Sequence, residues 1–169
     1  KLFKMKKLLL SAVIAMFGLT GLKAQSTGFE AGAHIGFTMG DVKDSYSINF
    51  GINAAYYWEI ATDFQLGVAS GYDHWTAKEY DVPGLGKIKP DDAGFIPIAA
   101  AGKYDFGGFF AGADLGYGIG ASKGNDGGFY YRPRIGYTNT SFNAYGFYKG
   151  ISMDGGSFSS IGVGFDYKF

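Results

Sequence analysis

The sequence contains no cysteine, and only four prolines and two histidines, among its 169 residues. The absence of cysteine excludes disulfide bonds, thiolate chemistry, cysteine-based zinc sites and a lipoprotein-type anchor on cysteine. No cluster of Lys and Arg alternates with aromatic residues in the manner of a nucleic-acid groove, so we expect no nucleic-acid partner. These absences narrow the search to functions that need neither thiols nor a basic surface.

An apolar run long enough for a spanning helix is also missing. The run from Leu8 to Leu22 has about fifteen residues, whereas a spanning helix needs roughly 20. It follows a pair of lysines and is followed by Ala24, an order typical of a secretory signal peptide; the alternative is a retained anchor helix. We predict a signal peptide over residues 1–24, with Lys1 to Lys4 upstream of the natural start, and a mature domain over 25–169. All 15 acidic residues but only ten of the 15 basic residues fall in that domain, which gives it a net charge of −5.

Glycine and aromatic residues are abundant instead, with 29 Gly, 16 Phe and 13 Tyr. A glycine content this high without a three-residue repeat is common in disordered chains. A disordered chain, however, lacks the apolar surface that 18% aromatic residues provide. The composition therefore indicates an ordered chain that is bulky and apolar on one side and short of bulk on the other.

After residue 25 the chain shows no sustained helical period, and period-two alternation recurs. Large apolar residues occupy one face of each segment and small or polar residues the other, as where Ile161 and Val163 alternate with Gly162. The seventh segment is the least regular, because Phe147 and Tyr148 are adjacent. The eight predicted strands cover residues 27–38, 46–60, 64–73, 94–106, 109–120, 129–139, 142–150 and 161–169.

The predicted connections alternate between short and long. The short ones are 61–63, 106–108 and 139–141, and the long ones are 39–45, 75–92, 121–128 and 151–157. Short turns on one side and long loops on the other are typical of an up-and-down barrel in an outer membrane, with the short turns in the periplasm. The longest loop contains Pro83, Gly84, Gly86 and Pro90 and is predicted to be irregular.

The small-residue face distinguishes a membrane barrel from a soluble β-sandwich, the alternative fold. A sandwich would place Thr, Lys, Glu and Gln on its wet face, whereas here Gly and Ala dominate that face. Glycine is kept in strands where space is short, as inside a narrow barrel. We therefore predict an all-β fold, an eight-stranded antiparallel up-and-down transmembrane β-barrel. Aromatic residues near strand ends are predicted to form interfacial girdles, namely Tyr46, Tyr57, Trp58, Trp75 and Tyr130.

The face turned into this barrel collects most of the ionisable residues of the strands. Charges in a narrow lumen must pair to offset their desolvation. We interpret them as a salt-bridged plug that fills the barrel; the alternative is a polar pathway for protons or small solutes. The predicted lumen network consists of Glu30, His34, Asp73, Lys103, Asp114, Arg132, Arg134, Asp166 and Lys168.

The last segment, residues 161–169, ends in alternating aromatic residues and a terminal Phe. It resembles the C-terminal signal of small outer-membrane β-barrel proteins, the OmpX-like and OmpA-barrel-like group also labelled porin family, and residues 95–98 are similar to a strand of that group. The resemblance implies a bacterial outer-membrane location and a lipid-bilayer environment. It also implies recognition of Phe165, Tyr167 and Phe169 by the barrel-assembly machinery.

Three functions fit such a barrel. The first, which we favour, is a structural or interaction role through the outer loops, chiefly residues 75–92, which would contact an extracellular ligand or protein. The second is a narrow porin-like transporter of small or hydrophobic solutes. The third is a lipid A-modifying enzyme with His74 at the rim, but Ser70 would face lipid and supplies no suitable nucleophile.

Two glycine-rich segments carry no ligand signal. Residues 116–123 lack the strand-loop-helix context of a phosphate site. Residues 125–128 are turn chemistry without the acidic ligands of a calcium loop. The sequence therefore predicts no catalytic residue, no cofactor and no metal.

Overall fold

The computed structural model describes residues 28–169, so the predicted signal peptide lies outside the described residues. The strands are β1 (Gly28–Met39), β2 (Tyr46–Ala61), β3 (Phe64–Ala77), β4 (Tyr80–Val82), β5 (Gly86–Ile88), β6 (Ala93–Asp105), β7 (Phe109–Gly120), β8 (Gly128–Thr138), β9 (Phe142–Met153) and β10 (Gly156–Lys168). Gly40–Val42 forms a single 3-10 turn. Within residues 28–169 we find no helix with the length and apolar character needed to cross a membrane.

Eight of these strands form one closed antiparallel barrel in the order β1-β10-β9-β8-β7-β6-β3-β2. The barrel closes at β1, where Ala33 lies opposite Ile52 of β2 on one side and Phe165 of β10 on the other. The predicted eight-stranded barrel is therefore confirmed, and the sandwich alternative is wrong. β4 and β5 form a separate two-stranded hairpin.

Large apolar side chains cover the outside of the barrel. Phe37, Ile135 and Val163 are each more than 60% exposed, and similar side chains lie on every long strand. Water-soluble monomers rarely expose continuous apolar surface of this extent. The outer surface therefore suits hydrocarbon, and the closed sheet leaves no unpaired strand edge facing it.

Glycines on the inner face make room for large lumen side chains. A Cβ added at Gly164 would lie 2.5 Å from the ring of Tyr145, and one added at Gly51 would lie 2.9 Å from the imidazole of His34. Each of these glycines lies directly across the strand pair from the side chain it accommodates. The inner face is therefore rich in glycine because the large side chains that fill the lumen need the space opposite them.

The predicted loop over residues 151–157 is wrong. β9 continues to Met153 and β10 begins at Gly156, so only Asp154 and Gly155 form the turn, with Gly155 at a φ of +89°. Asp-Gly is a strong signal for a two-residue turn, and here Gly155 supplies the positive φ at the second central position, whereas the φ of Asp154 is not positive. The Asp154-Gly155 dipeptide therefore predicts the turn better than the serines and glycines around it.

The longest outer connection is also more ordered than predicted. β3 continues to Ala77, and β4 pairs with β5 around a turn at Pro83 and Gly84. The prediction of an irregular loop is therefore wrong for this segment, which is a short hairpin on a stem.

Candidate functional site: the barrel lumen and its outer end

Buried ion pairs fill the lumen in three layers along its axis. The first lies towards the short turns and the chain end, where Lys103 of β6 donates a hydrogen bond to Glu30 of β1. Asn143 Nδ2 donates to Glu30 Oε2 at 2.9 Å, so both carboxylate oxygens have donors. The ammonium of Lys103 also lies 4.5 Å from the centre of the Tyr57 ring. This layer pairs one carboxylate with one ammonium and is therefore neutral.

The middle layer is built on Asp114 of β7, which lies between two arginines of β8. Arg132 Nη2 lies 2.7 Å from Asp114 Oδ2, and Arg134 Nη2 lies 3.0 Å from Asp114 Oδ1. Arg134 also donates to the Tyr57 hydroxyl at 2.6 Å and lies 3.4 Å from Asp166 Oδ2. The planar guanidinium suits such a site because its donors point in several fixed directions at once.

The third layer lies towards the long connections and joins four strands. Lys149 of β9 donates to Asp73 Oδ1 of β3 and, at 3.1 Å, to Asn49 Oδ1 of β2. His34 of β1 has its Nε2 2.7 Å from Asp73 Oδ1 and 2.7 Å from Lys149 Nζ. All four side chains are buried.

The side-chain amide of Asn53 contacts the imidazole ring of His34. Asn53 Nδ2 donates to Asp166 Oδ1 at 2.7 Å, so Asn53 Oδ1 is the acceptor that faces His34 Nδ1 at 3.2 Å. His34 Nδ1 therefore donates to Asn53 Oδ1, while Nε2 lies 2.7 Å from both Asp73 Oδ1 and Lys149 Nζ. Through Asn53, His34 links the third layer to the middle one.

The buried charges of the three layers balance. Each carboxylate lies within 4 Å of a cation, which offsets the cost of removing it from water. The carboxylates are Glu30, Asp73, Asp114 and Asp166, and the cations are Lys103, Arg132, Arg134 and Lys149.

The structure brings eight of the nine sequence-predicted lumen residues into these layers. The eight are Glu30, His34, Asp73, Lys103, Asp114, Arg132, Arg134 and Asp166. Lys168 instead lies half buried at the mouth beside the short turns, where its Nζ donates to Thr138 Oγ1 and Asn139 O, both at 2.7 Å. It reaches Glu30 only through Thr138 and Asn143.

Sequence reasoning missed Lys149, because the adjacent aromatic residues of β9 hid the alternation. Phe147 and Lys149 point inward and Tyr148 points outward. A lysine at the middle of a membrane-crossing strand costs about 2–4 kcal/mol when it faces lipid, so it has to face the lumen. Applied to Lys149, this rule would have fixed the register of the whole strand.

An aromatic cluster closes the lumen beyond the third layer. The Phe158 ring centre lies 5.2 Å from that of Trp75 and 5.1 Å from that of Phe95, and Tyr130 and Ile151 are buried with them. The girdle prediction is therefore wrong for Trp75 and Tyr130. It is also wrong for two further residues, because Tyr57 points into the lumen and Tyr46 packs against Phe158.

Solved structures match this barrel over most of its length, although no protein-family model and no curated protein matches the sequence. The outer-membrane protein Ail of Yersinia pestis in a phospholipid nanodisc is 17% identical, with 83% of this chain and 99% of Ail covered at a TM-score of 0.55. Crystalline Ail bound to the heparin analogue sucrose octasulfate is 15% identical, with 85% and 97% covered at 0.53. A de novo designed transmembrane β-barrel is 9% identical, with 88% and 100% covered at 0.50.

The chain has the fold of a small outer-membrane β-barrel protein. At these identities the likeness concerns the fold, and the location predicted from the sequence, a bacterial outer membrane, agrees with it. In an outer-membrane barrel the short turns and the chain end lie in the periplasm, and the long connections lie outside the cell.

The outer rim of this outer-membrane barrel holds His74, the second histidine of the chain. Its Nε2 lies 3.2 Å from Asp92 Oδ2, and both side chains are partly exposed. Among residues 28–169, no serine or threonine hydroxyl hydrogen-bonds to the His74 ring, and Ser70 lies on the outward face. The His74–Asp92 pair therefore lacks the nucleophile that acyl transfer needs.

The C-terminal residues lie at the periplasmic rim of the outer-membrane barrel. Phe165, Tyr167 and Phe169 point outward and are at least half exposed. The Phe169 backbone N–H donates to Phe29 O at 2.9 Å, which ties the chain end to β1. Their recognition by the assembly machinery stays a prediction.

Proposed function

We propose that this protein is an outer-membrane barrel with a plugged lumen, whose function is structural or interactive and depends on its extracellular surface. The observation that carries the proposal is the filling of the lumen, by balanced ion pairs from the periplasmic mouth to Lys149 and by the aromatic cluster beyond it. Eight strands enclose only enough space for side chains. No charge in the three layers is left over to attract a solute.

The extracellular connections support an interaction role because they form one ordered surface. Asp41 Oδ2 accepts hydrogen bonds from the backbone and hydroxyl of Ser157, both at 3.1 Å. Lys78 Nζ donates to Lys43 O at 2.6 Å, and the Tyr80 hydroxyl donates to the carbonyl of Asp44. The hairpin β4–β5 therefore projects from a fixed base rather than from a free loop.

The charge of this surface argues against a polyanionic ligand such as the heparin analogue found on Ail. The four outer connections carry five lysines and eight acidic residues. The net charge of −3 would repel a sulfated ligand. The exposed apolar side chains Leu85 and Ile88 of the hairpin are a better basis for recognition of a protein partner.

Planar-bilayer recording tests the plug. Purified, refolded protein should give no conductance steps above the lipid background, while a known porin in the same bilayer should conduct. Insertion is checked in the same preparation by the mobility shift between unboiled and boiled samples, which reports a folded barrel. Reproducible steps from folded protein would refute the plugged lumen and favour the porin-like alternative.

Replacing the hairpin tests the division between barrel and outer surface. A variant with residues 79–89 replaced by a short Gly-Ser turn should keep the heat-dependent mobility shift, because the eight long strands pair without β4 and β5. Loss of the folded band would contradict the idea that this segment serves recognition rather than folding.

A separate measurement tests the enzyme alternative. Unchanged lipid A in cells that overexpress the intact protein would argue against it.

A further inference from the structure

A small cavity lies between the third layer of the lumen and the arginines of the middle layer. Its volume is about 10 Å³, and Asn53, Asp73, Tyr130 and Arg132 are among its lining residues. A cavity of roughly 10–15 Å³ holds one water molecule when polar groups surround it. The size and the lining both fit a single water.

Asp73 supplies the second and independent observation. Its side chain is 1% exposed, and Oδ1 already accepts from Lys149 and lies 2.7 Å from His34 Nε2. Its other oxygen, Oδ2, is buried and has no hydrogen-bond donor within residues 28–169. A buried carboxylate oxygen without a donor carries the full cost of its lost hydration, so it requires a partner.

We propose that this cavity is a binding site for one structural water, which donates a hydrogen bond to Asp73 Oδ2. The same water lies within the shell formed by Arg132, Asn53 and Tyr130, which provide its remaining hydrogen bonds. It joins the His34–Asp73–Lys149 layer directly to the Asp114–Arg132–Arg134 layer. The third and middle layers are then connected at two points, through Asn53 and through the water.

An ion fits this cavity less well than water. Arg132, which lines the cavity, and Lys149, which pairs with Asp73, repel a cation, and the carboxylate of Asp73 repels an anion. A neutral molecule that both donates and accepts matches the mixed lining. The volume excludes larger solutes, so the site is distinct from any transport path.

A crystal structure of the refolded barrel at a resolution that shows ordered solvent tests the site. We expect one peak in the cavity, about 2.6–3.2 Å from Asp73 Oδ2. Ala99 lines the cavity, so Ala99→Val should fill it and remove the peak. Ala101→Val is the matched control, because Ala101 is buried on the same face of β6 beside Tyr57 and does not line the cavity; its peak should remain.

The maps can also overturn the proposal. A wild-type map with well-defined side chains at His34, Asp73 and Arg132 but no peak between them would do so. So would a peak that persists unchanged in Ala99→Val. A solution measurement keeps the test independent of crystals: NMR cross-relaxation from a long-lived water to amide protons around Asp73 is expected in micelles, and its absence counts against the site.

Discussion

Lys149 and Lys168 carry the same charge on adjacent strands but lie in different surroundings. Lys149 is fully buried and contacts Asp73, Asn49 and His34. Lys168 is half buried at the periplasmic mouth and donates to a hydroxyl and a carbonyl. At the scale of single residues, comparing the effects of these two lysines on stability shows how much a buried ion pair contributes relative to a lysine at the mouth.

We expect Lys149→Met to destabilise the barrel much more than Lys168→Met. Removing one partner of a buried pair leaves an uncompensated charge, here on Asp73, at a cost of about 3–5 kcal/mol. Removing the half-exposed Lys168 leaves no buried charge unpaired, and the loss of its two hydrogen bonds costs roughly 1.5 kcal/mol, the low end for a charged donor. Urea unfolding of the refolded proteins in one lipid system measures both. Equal losses would contradict the assignment of Lys149 to the charge-balanced layers.

The residue scale also shows where sequence reasoning succeeds. Lipid on one side and a narrow lumen on the other constrain every second residue, so eight of the nine charged or histidine positions could be placed inside from alternation alone. Aromatic residues near strand ends are ambiguous, because both the interface and the closed outer end accept them. Trp75 and Tyr130 lie in the closed outer end, and their placement there follows only from their packing in the cluster with Phe158.

At the scale of elements, Asp92 holds the stem of the β4–β5 hairpin. Its carboxylate accepts from the backbone N–H of Ala77 at 2.9 Å and lies 3.3 Å from Lys89 Nζ and 3.2 Å from His74 Nε2. The Ala77 N–H, followed by Lys89 and His74, holds the pKa of Asp92 below its usual range. These contacts join the two ends of the connection and so fix the direction of the hairpin.

The lowered pKa gives a pH dependence with a definite sign. The contacts stabilise the stem above the ordinary carboxyl pKa of about 4 and are lost as the pH falls below it through the lowered pKa of Asp92. We expect cleavage of residues 78–91 by an acid-active protease to rise in that window, with the barrel strands resistant.

Asp92→Asn should raise cleavage already at neutral pH. Asp91→Asn is the neighbouring control, because the structure uses only its backbone carbonyl, which accepts from the Tyr46 hydroxyl. Equal cleavage of the two variants at neutral pH would argue against the Asp92 contacts as the cause.

The elements that sequence reasoning misjudged are the outer connections. Strand length is constrained by the membrane, but nothing in the bilayer limits how far β9 and β10 extend beyond it. The Asp154-Gly155 turn is set instead by local turn chemistry, and the β4–β5 hairpin by contacts between connections, such as that of Lys78 with Lys43. Contacts between distant loops leave no periodic trace in the sequence.

At the scale of the whole molecule, stability and assembly depend on different residues. The buried network holds the folded barrel together from within, whereas the terminal aromatic residues lie on its periphery. Phe169 is 76% exposed and contacts only its neighbours Phe29 and Tyr167 by ring packing, at 5.5 and 5.0 Å. Phe109 is a comparable periplasmic-rim residue, 65% exposed, on an internal strand.

We therefore expect Phe169→Ala to lower the amount of protein in the outer membrane several-fold, while Phe109→Ala leaves it close to the wild-type amount. Both purified variants should refold in detergent with the same heat-dependent mobility shift, because each loses a similar exposed ring. Quantitative blots of membrane fractions and gels of the refolded proteins provide the two measurements. A C-terminal assembly signal predicts a defect in cells alone; equal defects of the two variants in cells, or a refolding defect of Phe169→Ala, would mean that the terminal ring acts through stability instead.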